Sequence, residues 1–505
     1  MIRYTNPIIP GFYPDPSVCA ANGRYYMVCS SFQYFPGVPL FESDDLVNWR
    51  QIGHVLTRTT QVALADVPAS GGVFAPTIRY HEGRFYMVTT NDTFHKNFYV
   101  WTDDIYGEWS EPVFVDQSGI DPSLLFDEGK VYLLSNGTDD NGEGGVIQCE
   151  LDIAAGAKLT ASKCIWHGSG RRFLESPHMY HIGEYYYLMA AEGGTEYGHM
   201  ITYARAKNPW GPFDNYPLNP VLTNKNKAPY IIQGIGHGDL VQDSYGEWHI
   251  VCLGFRQMHL WKAYHTLGRE VYMVPVRFGD DGWFRAGLDG TAQFEYEIEG
   301  VAQQIKPNDI TFENTDPDVD WAYIRHPSKE NYSLSKKGFT LTGTPLKLSQ
   351  HGSPTFIGLR QRGFFMELGV DLKLSDGEAG VTVYACESEH YDLFMQKAGD
   401  CYVVCVRYCV GPAVNVAKIH TLDGKKAHLL IEADNLNYSF FVEEGGVRTP
   451  LGTASGKYVS TEVAEGFTGV MIGLYATGEK NRADFTNLEI HYDYAREKEM
   501  QDPDC

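Results

Sequence analysis

A glycine, one polar residue and then a run of aromatic and aliphatic residues recur five times in the first half of the chain. The copies begin at Gly23 (Gly-Arg-Tyr-Tyr-Met-Val), Gly83 (Gly-Arg-Phe-Tyr-Met-Val), Gly129 (Gly-Lys-Val-Tyr-Leu-Leu), Gly183 (Gly-Glu-Tyr-Tyr-Tyr-Leu) and Gly246 (Gly-Glu-Trp-His-Ile-Val). Their glycines are 60, 46, 54 and 63 residues apart. Each interval has room for about one four-stranded propeller blade. The repeat also aligns the chain with itself. Eight residues before each glycine stand Asp15, Ala75, Asp121, Glu175 and Gly238. Three of these are acids, and a fourth acid lies within His237-Gly238-Asp239. Equivalent positions in a propeller converge on the central axis, so these carboxylates are expected to face one another.

At 505 residues the chain has room for two domains. Its many aromatics and its 52 glycines suit short strands and tight turns. A formal charge of −23 argues against nucleic acid or an anionic membrane as partner, because both need basic patches. The start of the sequence, Met1 to Pro7, has no apolar core of a signal peptide, which predicts a cytoplasmic protein. The ten cysteines include no Cys-x-x-Cys pair. Cys401, Cys405 and Cys409 sit in a strand pattern that spreads them along one sheet face, so free thiols are expected rather than a metal cluster.

Residues 1–300 carry the repeat and read as strands bounded by Gly, Asn, Asp and Pro. Trp49, Trp109 and Trp210 follow turns between copies and are expected in the core between blades. Residues 296–310 read as a linker. Beyond it the pattern changes: Met366, Leu368, Val370, Leu372 and Leu374 alternate with polar residues. Similar runs follow, and residues 310–495 predict an antiparallel β-sandwich. The charged stretch from Tyr494, with residues 496–505 as a tail, is expected to fray.

Three acids converging on an axis repel one another, and burying them is unfavourable. A single Asp-Pro-Ser can be a local turn cap, but three at one repeat phase point to chemistry. Glycoside hydrolysis needs such a set. One protonated carboxyl donates to the leaving oxygen, and an ionised one activates water. A neighbouring charge raises the pKa of the donor.

The motifs around these acids resemble glycoside hydrolase family 43. They are Pro14-Asp15-Pro16-Ser17, Ile120-Asp121-Pro122-Ser123, Leu174-Glu175-Ser176-Pro177-His178 and Gly236-His237-Gly238-Asp239. The segments Asn6 to Pro16, Phe35 to Val38, Ser70 to Pro76 and Leu267 to Glu270 are similar to its β-xylosidase and α-L-arabinofuranosidase branch. The resemblance covers nearly the whole chain. It implies an all-β protein: a five-bladed β-propeller followed by a concanavalin- or lectin-like β-sandwich. It implies an exo-acting, inverting hydrolase releasing xylose or arabinose from short oligosaccharides. Asp15 becomes the general base, Glu175 the general acid, and Asp121 the residue that raises the pKa of Glu175. Inversion sets the Asp15 and Glu175 carboxyls roughly 6.5–9.5 Å apart.

Arg269 matches an arginine of the family's substrate pocket; a salt bridge between blades is the alternative. His237 matches a histidine at the propeller centre, where the family can carry Ca²⁺ through water. A hydrogen-bonded core histidine is the alternative, since Ca²⁺ prefers oxygen ligands. No cofactor is otherwise required. Phe32 and Phe74 align with aromatic positions of the sugar pocket, though either could be core. Phe74 stands where xylosidase-like members often have Trp, which leaves the choice between xylose and arabinose open. A sandwich loop is expected to close the pocket; the sandwich could also bind sugar or form a homo-oligomer. Two other functions fit an acidic propeller. One is a retaining fructan-type hydrolase, and the other is a non-catalytic carbohydrate-binding protein.

Overall fold

The computed structural model describes residues 2–500 except 95, 228–229, 301–302, 306–308 and 480. Five antiparallel sheets follow one another in chain order. Their first strands are Ser17–Ala21, Thr77–His81, Ile120–Asp127, Glu175–Ile182 and Ile232–Gln242. Their second strands are Arg24–Val28, Arg84–Asn91, Lys130–Thr138, Tyr185–Glu192 and Trp248–Arg256. The repeated glycine is the turn between these two. In the first three blades that turn is a two-residue loop, Asn22-Gly23, Glu82-Gly83 and Glu128-Gly129, with positive φ at both residues. This is the turn whose twist matches a hairpin's. The aromatic run after each glycine is the second strand, and it packs between blades. Tyr26 of the first blade meets Phe85 of the second edge to face, with centroids 5.2 Å apart. Trp109 is buried in the same inter-blade core, while Trp49 and Trp210 pack half-buried against neighbouring ones.

Each first strand lies beside the next, and the fifth lies beside the first, which closes a ring. A buried carboxylate holds its centre. Asp239 of the fifth blade accepts from Ser17 Oγ (2.6 Å) and the Val18 amide (3.1 Å) of the first blade. It also accepts from Arg79 of the second (2.8 and 3.0 Å) and the Tyr180 hydroxyl of the fourth (2.5 Å). The third blade joins through Thr77 Oγ1 to the Pro122 carbonyl and Ser123 Oγ to the Pro177 carbonyl. Burial alone would disfavour the Asp239 charge; Arg79 outweighs it and holds the carboxyl well below the ordinary range.

The ring is also tied by Ile2–Thr5, which pairs antiparallel with Glu295–Ile298. The expected linker is therefore shorter than 296–310, because its first residues are strand. Residues 301–302 and 306–308 of that linker lie outside the described residues.

The second domain stacks a six-stranded and an eight-stranded antiparallel sheet. Alternate residues of Met366–Leu374 face the core between them, with Val381, Val404, Leu429, Phe440 and Ile472. The six-stranded sheet has a second covered face. Phe356, Tyr384, Phe394, Cys405, Met471 and Tyr475 pack on Phe12, Phe32 and Tyr34 of the propeller. Cys405 thus faces the domain interface from the face shared with Cys401 and Cys409, and all nine described cysteines are free thiols.

The charged end of the chain does not fray as expected up to residue 499. Tyr494–Glu499 is a helix whose N-cap, Asp493, accepts from the Ala495 and Arg496 amides. Glu497 on this helix is buried and pairs with Arg256 of the fifth blade at 2.6 Å. Arg256 also pairs with the fully buried Glu270 at 2.7 Å. Residues 501–505 of the expected tail lie outside the described residues.

Candidate active site

A cavity of about 510 Å³ opens at the end of the propeller where the first strands begin, under the sandwich. That size is ordinary for a small-molecule site. Its wall includes Asp15, Asp121, Glu175, His237, Arg269, Phe32 and Phe74, so the structure brings the sequence candidates together. Local backbone turns the polar ones inward. Asp15, Asp121, Ser176 and His237 have φ of 57°, 53°, 59° and 41°. Strand register slips at Ile120/Ser123, Glu175/His178 and Gly236/Gly238. A bulge with a left-handed residue lifts a side chain out of the pleat, at a cost of order 1–3 kcal/mol per strained residue. In the fifth blade the bulge also needs small neighbours. A Cβ on Gly236 would lie 2.2 Å from the His199 ring, and one on Gly238 would lie 2.6 Å from Ile201.

Of Asp15, Asp121 and Glu175, Asp15 is the most heavily bonded. Its Oδ2 accepts from Ser30 Oγ at 2.5 Å. Its Oδ1 lies 3.1 Å from His237 Nδ1 and 3.3 Å from Arg269 Nη1. Burial works against its charge, but Arg269 and then His237 outweigh it and hold the carboxyl well below the ordinary range. His237 Nδ1 is also 2.8 Å from Ser176 Oγ, which donates to Asp121 at 2.9 Å. One network therefore joins two acids.

Glu175 differs. Among the described residues none hydrogen-bonds its carboxyl. Burial, and then the charge of Asp121, push its pKa up to about 7. Burial also raises Asp121, and Asp15 adds to this. The cavity thus holds one carboxyl whose surroundings favour its charge and one whose surroundings disfavour it.

Three rings form an apolar wall. Phe32 lies 5.4 Å from Phe74, and Phe467 of the sandwich lies 5.9 and 6.0 Å from these two. Phe32 is both wall and interface core. Arg269 donates to Thr195 Oγ1 (2.8 Å) and to the Phe467 carbonyl (3.1 Å).

Asp239 is not among the acids of the cavity; it is the axial clasp described above. Residues without a sequence signal also line the site: Thr195, Tyr197, His265, Glu462 and Phe467, with the exposed Phe173. Glu462 to Phe467 are the expected sandwich loop. His237 engages Asp15 and Ser176 through Nδ1, which leaves one imidazole nitrogen for an ion. A lone nitrogen does not suit an oxygen-preferring cation, so the residues present do not by themselves form a Ca²⁺ site.

Residues 4–284 match the family model for glycosyl hydrolases family 43, and residues 309–491 match that for the β-xylosidase C-terminal concanavalin A-like domain. A non-reducing end α-L-arabinofuranosidase of Bacteroides ovatus is 39% identical over 500 residues, spanning 95% of this chain and 93% of its own. A xylosidase/arabinosidase of Butyrivibrio fibrisolvens is 35% identical, spanning 96% and 98%. Among solved structures, the Bacteroides ovatus xyloglucan PUL GH43B has a TM-score of 0.91 at 38% identity and covers 97% of this chain and 100% of its own. The xylan β-1,4-xylosidase from Bacillus halodurans C-125 has a TM-score of 0.89 at 28% identity, with coverage of 97% and 100%. Both domains match in order, and the relatives align end to end, so the chain is a glycoside hydrolase that belongs to glycosyl hydrolase family 43.

Proposed function

We propose that this cavity releases xylose or arabinose from the non-reducing ends of xylo- and arabino-oligosaccharides, with inversion. Relatives named as arabinofuranosidase and β-xylosidase support the substrate class. The single observation that carries the mechanism is the contrast between two carboxyls in one cavity: that of Asp15 is bonded to Arg269, His237 and Ser30, and that of Glu175 has no hydrogen bond among the described residues. Asp15 is held charged by Arg269 and His237, whereas Glu175 is pushed up to about 7.

In this reaction a water attacks the anomeric carbon and gives its proton to Asp15. The bond to the leaving oxygen breaks as Glu175 protonates that oxygen. Asp15 ends protonated and Glu175 ionised, and solvent resets both. Asp121 keeps Glu175 protonated through its charge and stays linked to Asp15 through Ser176 and His237. Phe32, Phe74 and Phe467 offer flat apolar faces to the C–H side of a sugar ring. The sandwich loop narrows the cavity, which suits cleavage at chain ends.

The test is proton NMR during hydrolysis of 4-nitrophenyl β-D-xylopyranoside and α-L-arabinofuranoside. Initial appearance of the inverted anomer is expected. Initial retention would reassign a carboxylate as nucleophile, as in a fructan-type hydrolase. Absence of turnover on both would overturn the proposed choice of xylose or arabinose and assign the hydrolase to another glycoside.

A further inference from the structure

On the basis of the glycosidase function proposed above, we infer that His265, fixed across the domain boundary by Glu462, takes a hydroxyl of the sugar substrate.

His265 lies between the second strand of the fifth blade, Trp248–Arg256, and the third, Glu270–Phe278. Its ring stacks on Phe255 with centroids 3.9 Å apart and planes 10° from parallel. Glu462 belongs to the sandwich. Its Oε1 lies 2.6 Å from His265 Nδ1, and its Oε2 accepts from the His265 amide at 2.9 Å. The His265 carbonyl accepts in turn from the Thr461 amide at 3.0 Å. The Tyr197 hydroxyl donates to Glu462 Oε1 at 3.3 Å. Burial opposes the Glu462 charge, but the His265 contacts outweigh it and hold this carboxyl below its ordinary value.

An ionised carboxylate only accepts hydrogen bonds, so Nδ1 carries the hydrogen toward Glu462 and Nε2 is the ring nitrogen left for another partner. That Nε2 is buried and has no hydrogen-bond partner among the described residues. Native structures rarely leave a buried polar atom unpaired. His265, Glu462, Tyr197 and Phe255 all line the cavity that holds Asp15 and Glu175. This cavity is proposed to receive sugar hydroxyls, which can donate to or accept from a ring nitrogen. The stack on Phe255 and the bonds to Glu462 fix the ring before substrate arrives, so little freedom is lost on binding. This stretch of wall comes from the fourth and fifth blades and the sandwich, apart from Phe32 and Phe74 on the first two blades. Substrate affinity then depends on the docked sandwich through a polar contact as well as through Phe467.

A purely structural clamp between domains would use the same hydrogen bonds, and kinetics separates the two. The variant His265→Phe keeps a ring to stack on Phe255 and removes both nitrogens. The variant His265→Gln restores a polar group near Nε2. Each is measured with 4-nitrophenyl β-D-xylopyranoside and with xylobiose, beside thermal unfolding. His265→Phe is expected to raise KM about tenfold, the scale of one hydrogen bond, with kcat moving less than KM and His265→Gln recovering part of the loss. Glu462→Ala is expected to raise KM for the same substrates, and adding it to His265→Phe to raise KM no further. A rise with both substrates places the hydroxyl on the released sugar, and a rise with xylobiose alone places it on the leaving sugar. Wild-type KM for both substrates, with a lowered unfolding midpoint, would overturn the inference and leave a domain clamp. A wild-type protein that hydrolyses and binds neither substrate would overturn the proposed function, and the role of His265 with it.

Discussion

Arg269 stands 3.3 Å from Asp15, a partner 254 residues away in sequence, and the same guanidinium holds the Phe467 carbonyl of the sandwich. One buried cation therefore supports the charge of the first-blade acid and anchors the loop that covers it. Arg269 is the largest influence opposing burial in keeping Asp15 ionised.

Replacing Arg269 by Ala should lower kcat/KM by about a hundredfold, the scale of one preorganised charge-stabilising donor. In the proposed mechanism Asp15 works in its ionised form, and its folded pKa is depressed. Loss of Arg269 raises that pKa, so the acidic limb of the pH–rate profile should move to higher pH. Arg269→Lys, which keeps the charge, should move it less. The measurement is kcat/KM across pH for the three proteins.

In the proposed mechanism Glu175 works in its protonated form, so activity should fall as pH rises through about 7. Asp121→Asn removes a charge that pushes Glu175 up. The alkaline limb should then shift to lower pH, while Glu175 still titrates. An alkaline limb that does not respond to Asp121→Asn would assign that limb to another group.

Glu175→Gln removes the proposed proton donor. Turnover of xylobiose should fall by about 10²–10⁴-fold. Activated aryl glycosides, whose leaving group needs little protonation, should lose much less. Asp15→Asn should lose activity on both, because water attack is needed in each case. Comparing the two variants on the two substrate types separates the roles.

Glu497→Ala leaves Arg256 buried with Glu270 as its one remaining carboxylate partner among the described residues. Breaking a buried pair from one side costs roughly 3–5 kcal/mol. The unfolding midpoint should drop clearly, and removal of residues 494–505 should lower it at least as far. Calorimetry of the three proteins tests this.

The five blades and the cavity acids were legible because each blade repeats one hairpin, and the repeated glycine marks its turn. Phase counted from that glycine places Asp15, Asp121 and Glu175 at one rim. The same count misplaces Asp239. The register slip at Gly236/Gly238 changes which side of the strand a neighbouring residue faces, and a constant offset cannot register a bulge. Phe467, Glu462 and His265 were hidden for another reason. Their meaning comes from contacts across domains, such as the 197 residues between His265 and Glu462, and no local pattern marks such a pair. Glu497 looked like part of a solvated charged tail because its partner, Arg256, is 241 residues away. The second buried face of the six-stranded sheet was missed in the same way. Alternation marks Val404 and Val406 as core, but Cys405 becomes interior only when the propeller covers it.

The Asp239 clasp sets an order of assembly. Ser17, Arg79 and Tyr180 leave the ribosome long before the carboxylate that joins them, so the first four blades emerge around an axis that lacks its anchor. Ring closure waits for the fifth blade. The rim above it waits longer still, because Arg269 follows Asp239, and Glu462 and Phe467 follow both. A chain released early would carry Asp15, Asp121 and Glu175 without the residues that tune or enclose them, so competence to act on sugar is conferred only after the sandwich residues are made.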